Sequence, residues 1–266
     1  MRQHGQVQHE RTTSERTPPR GAYHHGDLRN ALSAAAAELA REGGPEAVVL
    51  REAARRVGVS PTAAYRHFAN HADLLKAVKH EALADLADAL AAAVAKADAD
   101  ADDADAADAD ADQHRSPGAA DGGGGQQRTR AQARARARLS AIGHGYVDFA
   151  LSAPGLFRTA FCHSGTADGT PTEPEPFDLG TERAYRVLVD VLDSMLAAGL
   201  IAPARRPGAE ITAWAMVHGL TTLLLDGPIR DLPEADRRRM VDDATATLAA
   251  GLAASTGPGS GSGAGA

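Results

Sequence analysis

Residues 47–68 read AVVLREAARRVGVSPTAAYRHF, and this string constrains the fold more than any other in the chain. Val49, Ala53 and Val57 recur at helical spacing, and Ala54 is small enough for close packing. Gly58 permits a sharp turn, Val59 is placed to plug the angle between two helices, and Ser60 can cap the second one. Pro61 falls at the first position of that helix, where a missing N–H costs nothing. Ala64 and Phe68 then face inward, which leaves Thr62, Ala63, Tyr65, Arg66 and His67 pointing elsewhere. Helix, glycine-containing turn and helix with a polar outer face make a helix-turn-helix, whose second helix enters the DNA major groove. The segment predicts a DNA-binding module.

A net charge of −7 at first argues against a nucleic-acid partner. Dividing the chain removes the objection. Residues 1–80 carry 12 Lys/Arg against 8 Asp/Glu, whereas residues 81–266 carry 16 against 27. Salt screens distant charge, so a basic module on an acidic body still supplies a local DNA footprint. The single cysteine, Cys162, excludes an internal disulfide framework and fits a reducing, cytoplasmic setting. No apolar run approaches the ~20 residues needed to span a bilayer, and the N-terminus lacks the apolar core of a secretory signal.

The helix-turn-helix and its flanks resemble the tetracycline-repressor (TetR) family of transcriptional regulators. The match runs from Tyr23-His24-His25-Gly26-Asp27-Leu28-Arg29 through GVSPTAAYRHF to Asn70-His71-Ala72-Asp73-Leu74-Leu75. His71 departs from it, because the family usually has a phosphate-contacting lysine there; a neutral histidine keeps one hydrogen-bond donor without the fixed charge. The resemblance implies phosphate contacts for Tyr65, His67 and His71, and a base or phosphate contact for Arg51. From the residues themselves, Ser60 and Pro61 open the recognition helix, while Thr62, Ala63 and Arg66 form its base-facing surface. A short side chain meets a thymine methyl, and arginine meets guanine or phosphate.

The chain is expected to be all-α, with about nine helices in two domains. Residues 1–20 read as a disordered arm, 21–80 as a three-helix DNA-binding domain and 81–254 as a helical ligand-binding and dimerisation domain. Residues 255–266 read as a flexible tail. A first helix is expected over Leu28–Arg41 and a long one from about Ala72 to Ala97. Residues 97–127 alternate aspartate with alanine and then turn glycine-rich, which reads as a disordered insertion. Five arginines alternating mainly with alanine follow from Arg128, as a solvated helical turn attracted to the aspartates rather than a second nucleic-acid patch.

In the second half, Trp214-Ala-Met-Val-His218-Gly219 is similar to the C-terminal domain of one TetR branch, the WHG type, as are Gly143-x-x-Tyr146 and Pro154-Gly155-Leu156-Phe157. Trp214 and His218 share a helix face one turn apart. Either they line a pocket, with His218 orienting a polar atom of an effector, or they are a core tryptophan and a histidine bonded to a backbone or tyrosine hydroxyl. With Tyr146, Phe149, Phe157 and Phe161 they mark a candidate cavity for a small, largely apolar ligand. Apolar stripes at Val217, Leu220, Leu224 and Leu225, and at Met240, Val241 and Leu248, are expected to pair with a second copy in a homodimer. A dimer doubles the DNA site, which would be a near-palindromic operator.

No metal or cofactor is expected. The aspartate tract lacks the glycine and terminal glutamate of a calcium loop, adjacent His24 and His25 cannot face one ion, and Cys162-His163 is too sparse. Nucleophile elbows, phosphate loops, dinucleotide fingerprints and His-Glu-x-x-His pairs are missing, so an enzyme is disfavoured. A helix-turn-helix used only for protein contacts is the other rival, and salt dependence of DNA binding separates the two.

Overall fold

The computed structural model describes residues 25–113, 123–162 and 183–253. The expected arm at 1–20 and tail at 255–266 lie outside the described residues, as does His163. Nine α-helices and no strand occur among the described residues: α1 (His25–Gly43), α2 (Leu50–Val57), α3 (Pro61–Ala64), α4 (His71–Gln113), α5 (Gly123–Ser152), α6 (Pro154–Phe161), α7 (Arg183–Ala197), α8 (Ala209–Leu225) and α9 (Glu234–Ala253). No described helix is long and apolar enough to cross a membrane.

Helices α1 to α3 and the start of α4 enclose a core of Leu32, Ala36, Ala40, Val48, Leu50, Ala53, Ala64, Phe68, Leu74 and Val78. Most of these positions are alanine or leucine, so the helices approach closely and Phe68, fully buried, fills the centre. Val49 does not face inward as expected and is 45% exposed. It is an extended residue ahead of α2 rather than part of the helix, so the period there is two and its neighbours Val48 and Leu50 are buried.

A second core joins the middle of α4 to α5, α7, α8 and α9, through Leu86, Leu90, Leu139, Ile142, Tyr146, Leu192, Met195 and Leu248. Helix α6 lies between the two cores. Its Leu156 and Ala160 belong to the first, and its Phe157 belongs to the second. Gly155 makes this seat possible, because a Cβ there would lie 2.2 Å from the Ala40 carbonyl oxygen.

The long helix does not end near Ala97. Helix α4 continues to Gln113, and α5 begins at Gly123, so residues 97–113 and 123–127 are helical rather than disordered. The reason is pairing across the two helices. Arg138 grips Asp98 with two bonds of 2.7 and 2.9 Å, Arg134 pairs with Asp102, and Arg130 reaches Asp105 at 3.1 Å. Three aspartates of the tract are thus matched by arginines on the facing helix, and Asp100 by Lys96 on its own, which offsets part of the repulsion that the tract alone would suffer.

Candidate nucleic-acid interface and effector cavity

The turn between α2 and α3 is built as its residues dictate. Gly58 adopts φ 77°, a left-handed conformation that a side chain resists. The Ser60 hydroxyl accepts from the Ala63 N–H at 3.2 Å, and Pro61 occupies the first helical position. Regular α-helix covers only Pro61–Ala64. Helical backbone bonds nevertheless continue, with Tyr65 N–H to Pro61 O at 2.9 Å and Phe68 N–H to Ala64 O at 3.1 Å.

Around this element the interface residues named from sequence fall on the outer surface. Arg51, Ser60, Pro61, Thr62, Tyr65, Arg66 and His71 are exposed, and Ala63 and His67 are half-buried. Arg55 and Arg56 are neutralised by Glu52 and Glu42, the latter through a pair of bonds of 2.9 and 2.5 Å. Arg51 and Arg66, in contrast, form no ion pair or hydrogen bond among the described residues, so their charge stays available to a partner. His71 is the first residue of α4, capped by Asn70, whose side chain accepts from the Asp73 N–H at 2.9 Å.

One residue of this module was not singled out from sequence. Arg29, on α1, donates to the His67 carbonyl, and its guanidinium lies 4.4 Å from the centre of the Phe68 ring. It ties down the C-terminal end of the recognition element. Only the match of Tyr23–Arg29 pointed near it, since the contact spans 38 residues.

The second half holds a partly open cavity of about 80 Å³ bordered by α4, α5, α6, α7, α8 and α9. Of the six residues expected to line it, Tyr146, Phe161 and Trp214 do so. Phe157 and His218 stand behind them, with Phe161 and His218 rings 4.8 Å apart and Phe157 and Phe161 rings 5.0 Å apart. Phe149 packs between the two cores and does not reach the cavity lining. Leu83, Leu86 and Leu90, on the core-facing stripe of α4, and Leu188 of α7 were not among the six residues expected there and complete an apolar wall.

The Tyr146 hydroxyl accepts from Trp214 Nε1 at 3.3 Å and lies 2.9 Å from His218 Nδ1. Of the two readings open for His218, the structure places it as a histidine bonded to a tyrosine hydroxyl. Burial pushes the His218 imidazolium down from its ordinary pKa and the Tyr146 phenol up, so both are neutral near pH 7. One hydrogen bond joins the Tyr146 oxygen and His218 Nδ1, and the tautomer of His218 decides which of the two donates.

The proposed dimer residues divide. Leu224, Val241 and Leu248 are buried inside the monomer, against Val147 or the second core, and cannot meet a second copy. Val217, Leu220 and Leu225 are half-buried, and Met240 is 37% exposed. An amphipathic stripe serves the monomer first. The outer side of α8 instead carries Ile211, Ala215, Gly219 and Leu223, all exposed. No cluster of three or more potential metal ligands occurs among the described residues.

Residues 32–78 match the family "Bacterial regulatory proteins, tetR family", and residues 139–248 match "Tetracyclin repressor-like, C-terminal domain". Among solved structures, a protein of unknown function from Rhodococcus sp. RHA1 is 26% identical with TM-score 0.59, over 88% of this chain and all of that one. SCO4313, a candidate regulatory protein, is 21% identical with TM-score 0.51, over 84% of this chain and 95% of that one. No curated protein matches. The first match covers the helix-turn-helix and the second covers Tyr146, Gly155 and the Trp214–Gly219 motif. The chain therefore belongs to the TetR family, as a DNA-binding transcriptional regulator.

Proposed function

We propose that the protein is a homodimeric repressor that leaves a near-palindromic operator when a small, largely apolar effector enters the cavity of its second half. The observation that carries this reading is the position of α6. Leu156 and Ala160 are built into the core of the DNA-binding domain, while Phe161, on the same helix, lines the cavity and Phe157 supports it. The cavity's space is smaller than the about 150 Å³ of an apolar void that takes up benzene, so a ring-sized occupant that enters fully pushes its walls apart. Its walls include α6 and Leu83, Leu86 and Leu90 of α4, the helix that also carries His71. Displacing them changes the setting of the recognition helix.

In a dimer the two recognition helices address half-sites ~34 Å apart or a multiple of that. A shift of a few ångströms in each then abolishes simultaneous docking. The exposed face of α8, with Ile211, Ala215, Gly219 and Leu223, together with Met240 of α9, is the surface this reading assigns to the second copy.

Gel-shift titration at fixed salt tests the interface. Arg66→Ala or Tyr65→Ala is expected to weaken operator binding by about 1–3 kcal/mol while sedimentation still shows a dimer. Unchanged affinity removes the assignment of the recognition helix. A protein-contact module would show no salt-dependent DNA binding at all.

A further inference from the structure

The effector cavity is long for its volume. Its lining takes in residues 83–90 of α4, 139–146 of α5, 213–220 of α8 and 241–248 of α9, two turns of each helix and about 10 Å at 1.5 Å per residue. Helices α4 and α9 both run antiparallel to α5: Arg138 meets Asp98 and Gly145 lies against Ala93, while Gly143 lies against Thr245 and Val147 clusters with Val241. Three of the walls therefore share one direction, and a space of about 80 Å³ drawn out along it is a slot rather than a round chamber. Every lining residue of α4 and α5 is buried, and these form the floor. Tyr185 and Leu188 of α7, Met216 and Leu220 of α8 and Ala244 of α9 are half-buried, so the open side lies at these three helices. The surface of the slot is almost wholly apolar, with no charged side chain in it.

We propose that the cavity takes an unbranched alkyl chain of about eight carbons, whose polar end stays in water at the open side. The proposal rests on the effector reading above and names the class of molecule. An extended chain advances about 1.2 Å per bond, so about eight carbons match two turns of helix. Laid one behind another, those carbons part α8 and α9 from α4 and α5 by a little at each point, whereas a ring needs its full width at one point. A polar group drawn in with the chain would lose its bonds to water against carbon, which keeps it outside. The slot thus reads the length and the branching of the chain rather than its head group, and a plain alcohol serves as the probe.

The chain's one tryptophan lines the slot, so its fluorescence reports occupancy. The full-length protein is titrated with 1-butanol, 1-hexanol, 1-octanol, 1-decanol and 1-dodecanol, and with cyclodecanol. Affinity is expected to rise about fourfold per added carbon as far as octanol and to level off by decanol. Cyclodecanol, although it has two more carbons than octanol, is expected to bind about tenfold more weakly. In Ala244→Leu, whose fold is checked by circular dichroism, a larger side chain takes up part of the slot, and octanol is expected to lose about tenfold while butanol changes little. Cyclodecanol that binds as tightly as octanol overturns the preference for an unbranched chain and leaves the cavity as an effector site. An affinity that keeps climbing through dodecanol, or an octanol affinity untouched by Ala244→Leu, puts the chain outside the slot and overturns the proposal. If none of the alcohols perturbs Trp214, both the alkyl chain and the cavity reading fail.

Discussion

Gly155 rests directly on the Ala40 carbonyl oxygen, the point at which α6 is seated against the C-terminal end of α1. A Cβ at 155 would also lie 2.9 Å from the Arg41 carbonyl. Backbone cannot yield as a side-chain tip does, so Gly155→Ala is expected to cost about 1–3 kcal/mol, read as a lower denaturation midpoint. Gly251→Ala is the control, since nothing lies within 4 Å of a Cβ there and the helix gains propensity. If Gly155→Ala is as stable as Gly251→Ala, the close seat of α6 is wrong.

Arg29 is expected to act on DNA binding without touching DNA. It holds the His67 carbonyl and covers Phe68, so Arg29→Ala frees the end of the recognition element. Operator affinity should fall by about 1–2 kcal/mol, the scale of one charged hydrogen bond with a cation–π contact. The slope of log affinity against log salt should stay as in the parent, because no phosphate contact is lost. A slope reduced by about one unit would show Arg29 to be a phosphate ligand instead.

Acidification is expected to loosen the cavity wall through His218. Burial holds its folded pKa below the ordinary 6.5, so the unfolded chain binds the proton more readily. The contribution to stability is complete above about 6.5 and is lost as pH falls from there through the folded pKa. Melting temperatures from pH 7.5 to 5 should therefore decline more steeply in the parent than in His218→Gln. Parallel curves would mean that His218 is protonated at no cost.

The paired ends of α4 and α5 should respond to acid and to salt. Asp98 has its carboxyl held below the usual range, first by its bonds to Arg138 and then by the charges of Arg138 and Arg134. Its share of stability is present above the ordinary carboxylate pKa and disappears as pH falls through the lowered folded value. Hydrogen exchange of residues 98–109 should speed up below about pH 4 and in high salt, with the rest of α4 still protected. Uniform protection along α4 would rule out dependence on the arginines.

What was legible in the sequence was what neighbours in sequence decide. Gly58, Ser60, Pro61 and Phe68 specify their turn within eleven residues, and the structure keeps each in its expected role. Val49 was misplaced by one helical boundary, which changes the period that sorts inside from outside. The attraction of the arginines from Arg128 to the aspartate tract was legible and is seen in the Arg138–Asp98 pair, but not that this pairing, across 40 residues, would keep the tract helical. Similarly, the Tyr146–His218 bond spans 72 residues, so spacing alone left His218 undecided between cavity and core. Leu224, Val241 and Leu248 show a further limit, since an apolar stripe does not reveal whether its own chain or another covers it.

The aspartate–arginine pairing has one more consequence, which follows from chain direction. The C-terminal end of a helix carries partial negative charge and the N-terminal end partial positive charge. Helix α4 ends in aspartates with no basic residue in its last turn, and α5 opens without an acidic one and soon runs into arginines. The α4 end thus bears the sign of charge that its own peptide dipoles oppose, while α5 opens on an uncharged turn and brings its arginines, from Arg128 on, to the aspartates. The end of α4 therefore leans on α5 for its charge balance, and the two segments form and fray together, as one cooperative unit distinct from the cores below.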